Sequence, residues 1–181
     1  MSHNKFFISD THFGHANILT FKNSNSGSPM RVFKDVEEMD EHMVTQWNSV
    51  VRPCDRVYHL GDVVMNRKFL PIVERLNGKK VLIMGNHDIF GSKEYLKYFE
   101  DVRAYKIFPK ERIICSHIPV YSEVFPRWEL NVHGHLHDNN VKEFSEKYLN
   151  VSVEQINYTP IAFDTILSLL GTQSISPKRI P

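Results

Sequence analysis

The sequence predicts an α/β fold, because short apolar runs alternate with helical patterns and each run stops abruptly at a polar cluster. Runs this short, rich in Val, Ile and Phe, read as buried strands. Open α/β sheets hold their ligands at strand carboxyl ends, which is where these clusters fall.

The elements follow in order. Lys5-Phe6-Phe7-Ile8-Ser9 is the first strand and stops at Asp10-Thr11-His12. Asn23 to Pro29, with its serines and glycine, is a polar loop, read as a surface excursion. From Asp35 to Val50, Val36, Met39, Met43, Val44 and Trp47 recur at helical spacing, with Asp35 as the amino-terminal cap. Arg56-Val57-Tyr58-His59-Leu60 stops at Gly61-Asp62. Arg67 to Leu76 reads as a helix through Leu70, Val73 and Leu76, with Pro71 near the first turn and Asn77-Gly78 as its stop. Lys80-Val81-Leu82-Ile83-Met84 stops at Gly85-Asn86-His87-Asp88, and Lys93 to Phe99 is a shorter helix. Arg112-Ile113-Ile114-Cys115 stops at Ser116-His117. Leu130-Asn131-Val132 stops at His133-Gly134-His135-Leu136-His137. A last helix, Thr165 to Leu170, follows Asp164 as its cap, and the chain after Gly171 reads as an irregular tail.

A chain of 181 residues, 41% hydrophobic and 24% charged, fits a single domain over 1–181. At this length a core forms without a metal staple, so a bound metal would serve chemistry. The formal charge of +1 excludes a strongly basic nucleic-acid binder. Cys54 and Cys115 form no Cys-x-x-Cys pair, which argues against a disulfide framework and for a reducing cytosol. The amino end carries no long apolar stretch and no segment has the length of a membrane span. A soluble, cytoplasmic protein is expected. Histidine is the outlier, with ten copies grouped in short clusters.

Those clusters supply metal-ligating chemistry. Asp10 and His12, one residue apart, share a side if the chain is extended there. Asp62 follows a glycine, which allows a tight turn. Asn86 offers a neutral oxygen, and His117, His135 and His137 offer nitrogen. Mixed nitrogen and oxygen donors without thiolate favour manganese, iron, zinc or a related divalent ion, and argue against a calcium cage.

The set Asp10-x-His12, Gly61-Asp62, Gly85-Asn86-His87-Asp88, His117 and Gly134-His135-x-His137 resembles the calcineurin-like metallophosphoesterases, in particular small single-domain bacterial and phage-type members, with the blocks in that family's order. The resemblance implies a four-layer αββα sandwich of two mixed sheets flanked by helices. It implies two divalent ions, manganese favoured: one held by Asp10, His12 and His137, the other by Asn86, His117 and His135, with Asp62 bridging. It implies hydrolysis of a phosphate mono- or diester, a nucleotide among the possibilities, by metal-activated hydroxide, with His87 as the catalytic acid beside the phosphate. His15, in the dense stretch Asp10 to Asn17, and Asp88 would lie near substrate. One position departs from the pattern: many relatives carry an aspartate where this chain has Met65, and that aspartate orients the catalytic histidine. His87 is then held by Asp88 or a backbone carbonyl, or is less basic than in those relatives.

Other residues are read plainly. His3, His42, His59 and His133 are core or surface histidines; Arg31, Arg67 and Arg127 are solvated charges; Trp47 and Trp128 belong to the core or its rim. Two other functions remain open: a metal-dependent nuclease, against which the near-neutral charge weighs, and a non-catalytic interaction module on the same fold, against which the intact ligand set weighs.

Overall fold

Phe6, Phe7 and Ile8 point alternately into two cores, and that alternation organises the molecule. The computed structural model describes residues 3–23, 26–124 and 126–173. In chain order the elements are β1 (Lys5–Ile8), α1 (Val36–Val50), β2 (Arg56–His59), β3 (Lys79–Ile83), α2 (Ser92–Tyr95), β4 (Asp101–Arg103), β5 (Lys106–Phe108), β6 (Ile113–Cys115), β7 (Leu130–His133), β8 (Tyr148–Asn150), β9 (Ile161–Ala162) and α3 (Phe163–Gln173). One sheet has the order β4-β3-β2-β1-β9 and the other β5-β6-β7-β8. Both are mixed. β1 to β4 pair in parallel and β9 runs against β1; β6, β7 and β8 pair in parallel and β5 runs against β6. The fold is thus two mixed sheets flanked by helices.

Strands buried on both faces send successive side chains to opposite layers. Phe6, Ile8, Val57 and Leu82 meet Met39, Met43, Val44 and Trp47 of α1. Phe7, Tyr58, Leu60, Val81 and Ile83 meet Ile113, Cys115, Leu130 and Val132 of the second sheet, and α3 adds Phe163 and Ile166. Phe7 is fully buried and stacks on Tyr58 with ring centroids 5.2 Å apart. Burying a side chain of this kind contributes about 1.5–3 kcal/mol.

Asp35 caps α1 by accepting from the Glu38 N–H at 2.9 Å. The other helices differ from the sequence reading. Residues Arg67–Arg75 form a 3-10 helix, with Pro71 inside it rather than in its first turn. Proline has no N–H to give an α-helical bond there. α2 stops at Tyr95, and turns carry the chain to Phe99. α3 starts at Phe163, so Asp164 lies in its first turn instead of capping it, and it continues past Gly171 to Gln173. The rest of the expected tail, 174–181, lies outside the described residues. In the 23–29 loop, 24 and 25 also lie outside them; its ends are closed by a Lys22–Pro29 bridge and an Asn23 N–H to Ser28 carbonyl bond of 2.8 Å. β4, β5, β8 and β9 are two or three residues long and passed unread. Cys54 is exposed and Cys115 buried, both free. Among the described residues no helix is long and apolar enough to cross a membrane.

Candidate metal centre

The carboxyl ends of β1, β2 and β3 meet those of β6 and β7 along one edge. The loops there are bound to one another through the backbone: Asp10 N–H to Gly61 carbonyl at 2.9 Å, His12 N–H to Asp62 carbonyl at 3.0 Å, Gly134 N–H to His117 carbonyl at 3.0 Å. Asp10 and His12 are not in extended chain, contrary to the sequence reading. Both have positive φ, 59° and 48°, as do Asp62 at 58°, His135 at 69° and His137 at 51°. Each such residue costs about 1–3 kcal/mol and persists only where its surroundings over-determine it. Here the side chains turn inward because the backbone curls, and the strand alternation has already ended at Ile8.

Asp10, Asp62, His117 and His137 are each aimed by a second bond. Asp10 Oδ2 accepts from His135 N–H and from Ser152 Oγ, both at 2.9 Å, which leaves Oδ1 buried with no hydrogen-bond partner. Asp62 Oδ1 accepts from the His87 N–H at 2.9 Å. Its Oδ2 lies 3.6 Å from His12 Nε2 and 3.4 Å from His117 Nε2. His117 Nδ1 donates to the Leu60 carbonyl at 2.7 Å, since a carbonyl only accepts, so its Nε2 turns toward Asp62 and Asn86 Oδ1, the latter at 2.9 Å. His137 Nδ1 donates to Glu154 Oε1 at 3.1 Å, and its Nε2 faces Asp10 Oδ1 at 3.8 Å. Neither ring nitrogen of His12 has a partner.

Unpaired electron-rich atoms, buried and pointed at one another, are costly unless a cation lies between them. Two overlapping donor groups result: Asp10, His12 and His137; and Asp10, Asp62 and His117, the atoms in each within 4.8 Å of one another. Ligands at about 2.0–2.2 Å from an ion lie at most about 4.4 Å apart, so these groups need to contract little. The donor set fits a divalent ion. His135 stands beside the second group, its ring 5.1 Å from that of His117.

The charges follow the same geometry. Burial works against the Asp62 carboxylate, but the His117 imidazole, the His87 N–H and His12 outweigh it and hold its pKa at about 2. Burial likewise opposes protonation of His117 and His137; Asp62 raises the first and Glu154 the second. Burial, and then the Arg31 charge, lower His12 and His15.

His87 is exposed on the rim, its ring 5.6 Å from that of His12. His15 is half-buried on the same side, 5.8 Å from the His12 ring and edge-on to Phe21. Asp88 does not face this cleft. It is 2% exposed, and its oxygens accept from the N–H groups of Asp62, Val63 and Gly85. It therefore binds two ligand-bearing loops together through their backbone N–H groups. Its pKa is raised by burial. A hollow of about 370 Å³, lined by Met84, Asn86, Ala104, Ser116, His117 and Ile118, opens on the Asn86 side.

Two residues escaped the sequence reading. Arg31 is no solvated charge: it is 1% exposed and donates to the carbonyls of Asp10 at 2.6 Å and Thr11 at 2.9 Å. Glu154 was not singled out, yet it pairs with both Arg31 and His137. His59 does more than pack. Its Nδ1 accepts from Gly61 N–H at 3.2 Å, so Nε2–H donates to Thr11 Oγ1 at 3.0 Å, whose own proton goes to the Val63 carbonyl.

Fold and donor set together define a divalent-cation site of the nitrogen-and-oxygen kind. The chain belongs to the calcineurin-like phosphoesterase family, whose family model matches residues 6–168. It is similar to the uncharacterized protein MJ1445 of Methanocaldococcus jannaschii, 39% identical over 175 residues, covering 91% of this chain and 90% of that one. It is also similar to the gene 66 protein of Mycobacterium phage L5, 34% identical over 90 residues, covering 47% of this chain and 40% of the phage protein. Among solved structures, the protein of unknown function AQ665 from Aquifex aeolicus superposes with a TM-score of 0.73 at 32% identity, over 93% of this chain and all of that one (100%).

Proposed function

We propose that the chain hydrolyses a phosphate mono- or diester at a dinuclear metal centre. The observation that carries this is the convergence of donors from Asp10, His12, Asp62, His117 and His137 on two overlapping groups, with Asp10 Oδ1 and both His12 nitrogens buried and unpartnered. Asp10, His12 and His137 would hold one ion and Asn86, His117 and His135 the other, with Asp62 placed to serve both. Its Oδ2 is nearly equidistant from His12 and His117 Nε2, which supports that role. Mixed imidazole and oxygen donors suit manganese, iron, zinc or a related divalent ion, and the family resemblance favours manganese. Bound ions would supply an activated water and neutralise the phosphate oxygens.

The chain's own residues do the rest. His87, exposed beside His12, gives its proton to the departing oxygen. His15, beside the His12 ring on the same side as His87, contacts the substrate phosphate. The hollow beside Asn86, with Met84, Ala104 and Ile118 as apolar lining, receives the organic group of the ester, a nucleotide included. The buried carboxylates and histidines keep one face of the site closed to bulk water.

Elemental analysis of chelator-stripped protein reloaded with Mn²⁺ tests this reading. Two ions per chain are expected, and Asp62→Asn should lower both metal content and turnover. An Asp62→Asn protein with two ions and full turnover would refute the spanning role.

A further inference from the structure

Arg31 and Glu154 stand 123 residues apart in sequence and meet in the interior behind the first donor group. Arg31 Nε donates to Glu154 Oε1 at 2.7 Å and Nη2 lies 2.6 Å from the same oxygen, with the side chains 0% and 4% exposed. The same guanidinium donates to the carbonyls of Asp10 and Thr11, and the same carboxylate oxygen accepts from His137 Nδ1. One charge pair therefore touches every segment that carries a ligand of the first group.

We propose that Arg31 and Glu154 are positioning residues that preset the first metal site before an ion arrives. The proposal rests on the metal-centre reading above. Glu154 fixes the tautomer of His137. A carboxylate only accepts, so Nδ1 carries the proton, and in the neutral ring Nε2 keeps its lone pair toward Asp10 Oδ1. A histidine whose other nitrogen donates to a carboxylate is also a more basic ligand, and its ring cannot turn away. Arg31 acts on the other half. By holding two consecutive carbonyls it locks the turn in which Asp10 and His12 adopt positive φ. The pair is poorly explained as a plain brace. Burying two charges gains little over apolar packing, whereas a ligand set under backbone strain needs directional bonds to stay in place. Glu154 Oε2 has no hydrogen-bond partner, so Oε1 carries the links to both Arg31 and His137.

The asymmetry gives the test. His137, the ligand that Glu154 holds, belongs to the first donor group alone, so only one of the two sites should depend on Glu154. Metal-free wild type, Glu154→Gln and Glu154→Ala proteins are titrated with Zn²⁺ in a calorimeter. Their imidazole ¹H–¹⁵N correlations are recorded before metal is added, and their metal-free melting temperatures fix how much fold is lost. The wild type should show His137 as the Nδ1–H tautomer and bind two ions. Both variants should lose that tautomer signature, the alanine more completely. They should weaken one site by about 10–100-fold while the other keeps its affinity. Wild-type affinity at both sites in both variants, or equal weakening at both sites in step with a lowered melting temperature, would make the pair a structural brace and overturn the proposal. A wild type that shows the tautomer but takes up no ion would remove the metal-centre reading, and the positioning role with it.

Discussion

Asp10 Oδ2 accepts a hydrogen bond from the backbone N–H of His135 at 2.9 Å, joining the end of β1 in one sheet to the loop after β7 in the other. The bond commits one carboxylate oxygen to structure and leaves Oδ1 to the site. It requires the loop to approach closely, and Gly134 is what permits this: a Cβ there would run into Ser9 Oγ and Asp10 Oδ2.

Gly134→Ala should therefore push Asp10 out of position. Turnover is expected to fall by about 100-fold, the scale of a catalytic group displaced by an ångström. Metal titration and the melting curve check this together. A folded variant with unchanged metal affinity and turnover would show that the Asp10 orientation does not matter.

His87→Ala should behave differently, because His87 lies outside both donor groups. Metal content should be unchanged. Turnover of alkyl phosphate esters is expected to fall about 10²–10⁴-fold, and that of p-nitrophenyl esters least, since a good leaving group needs little proton donation. Equal losses on both ester types would exclude a proton-donor role.

His59 sets a pH dependence of stability. Burial is the main cause that lowers its pKa to about 3, against an ordinary value of 6.5, and protonation would break the bond it accepts from Gly61 N–H. The folded pKa is the depressed one, so between pH 6.5 and 3 the unfolded chain binds the proton and the folded chain does not. This contribution is complete above pH 6.5 and is lost as pH falls through that window. Urea unfolding with chelator present should show, for His59→Gln, a lower stability at pH 7. Its slope with pH across the window should be smaller by about one proton. An unchanged slope would mean that His59 is not held neutral.

The strand-end clusters were legible because each follows an apolar run, and the structure brings Asp10, His12, Asp62, Asn86, His117, His135 and His137 to one edge. How they point inward was not legible. Positive φ at Asp10 and His12 is imposed by Arg31 and by the loops from β2, which no local pattern records. Arg31 itself reads as an ordinary surface arginine until the fold supplies Glu154. Asp88 looked like a site residue by adjacency alone, and its three backbone bonds explain why it is not in the cleft. One miss was avoidable. Leu70, Val73 and Leu76 recur every third residue, the period of the 3-10 helix found there rather than of an α-helix.

The most direct test of the account is hydrolysis of bis-p-nitrophenyl phosphate and p-nitrophenyl phosphate by chelator-stripped protein, before and after Mn²⁺ is added. The account predicts no turnover without metal and turnover with it, the preferred ester separating diesterase from monoesterase. Two ions bound per chain with no hydrolysis of either ester would contradict a general phosphoesterase and favour a non-catalytic use of the same centre.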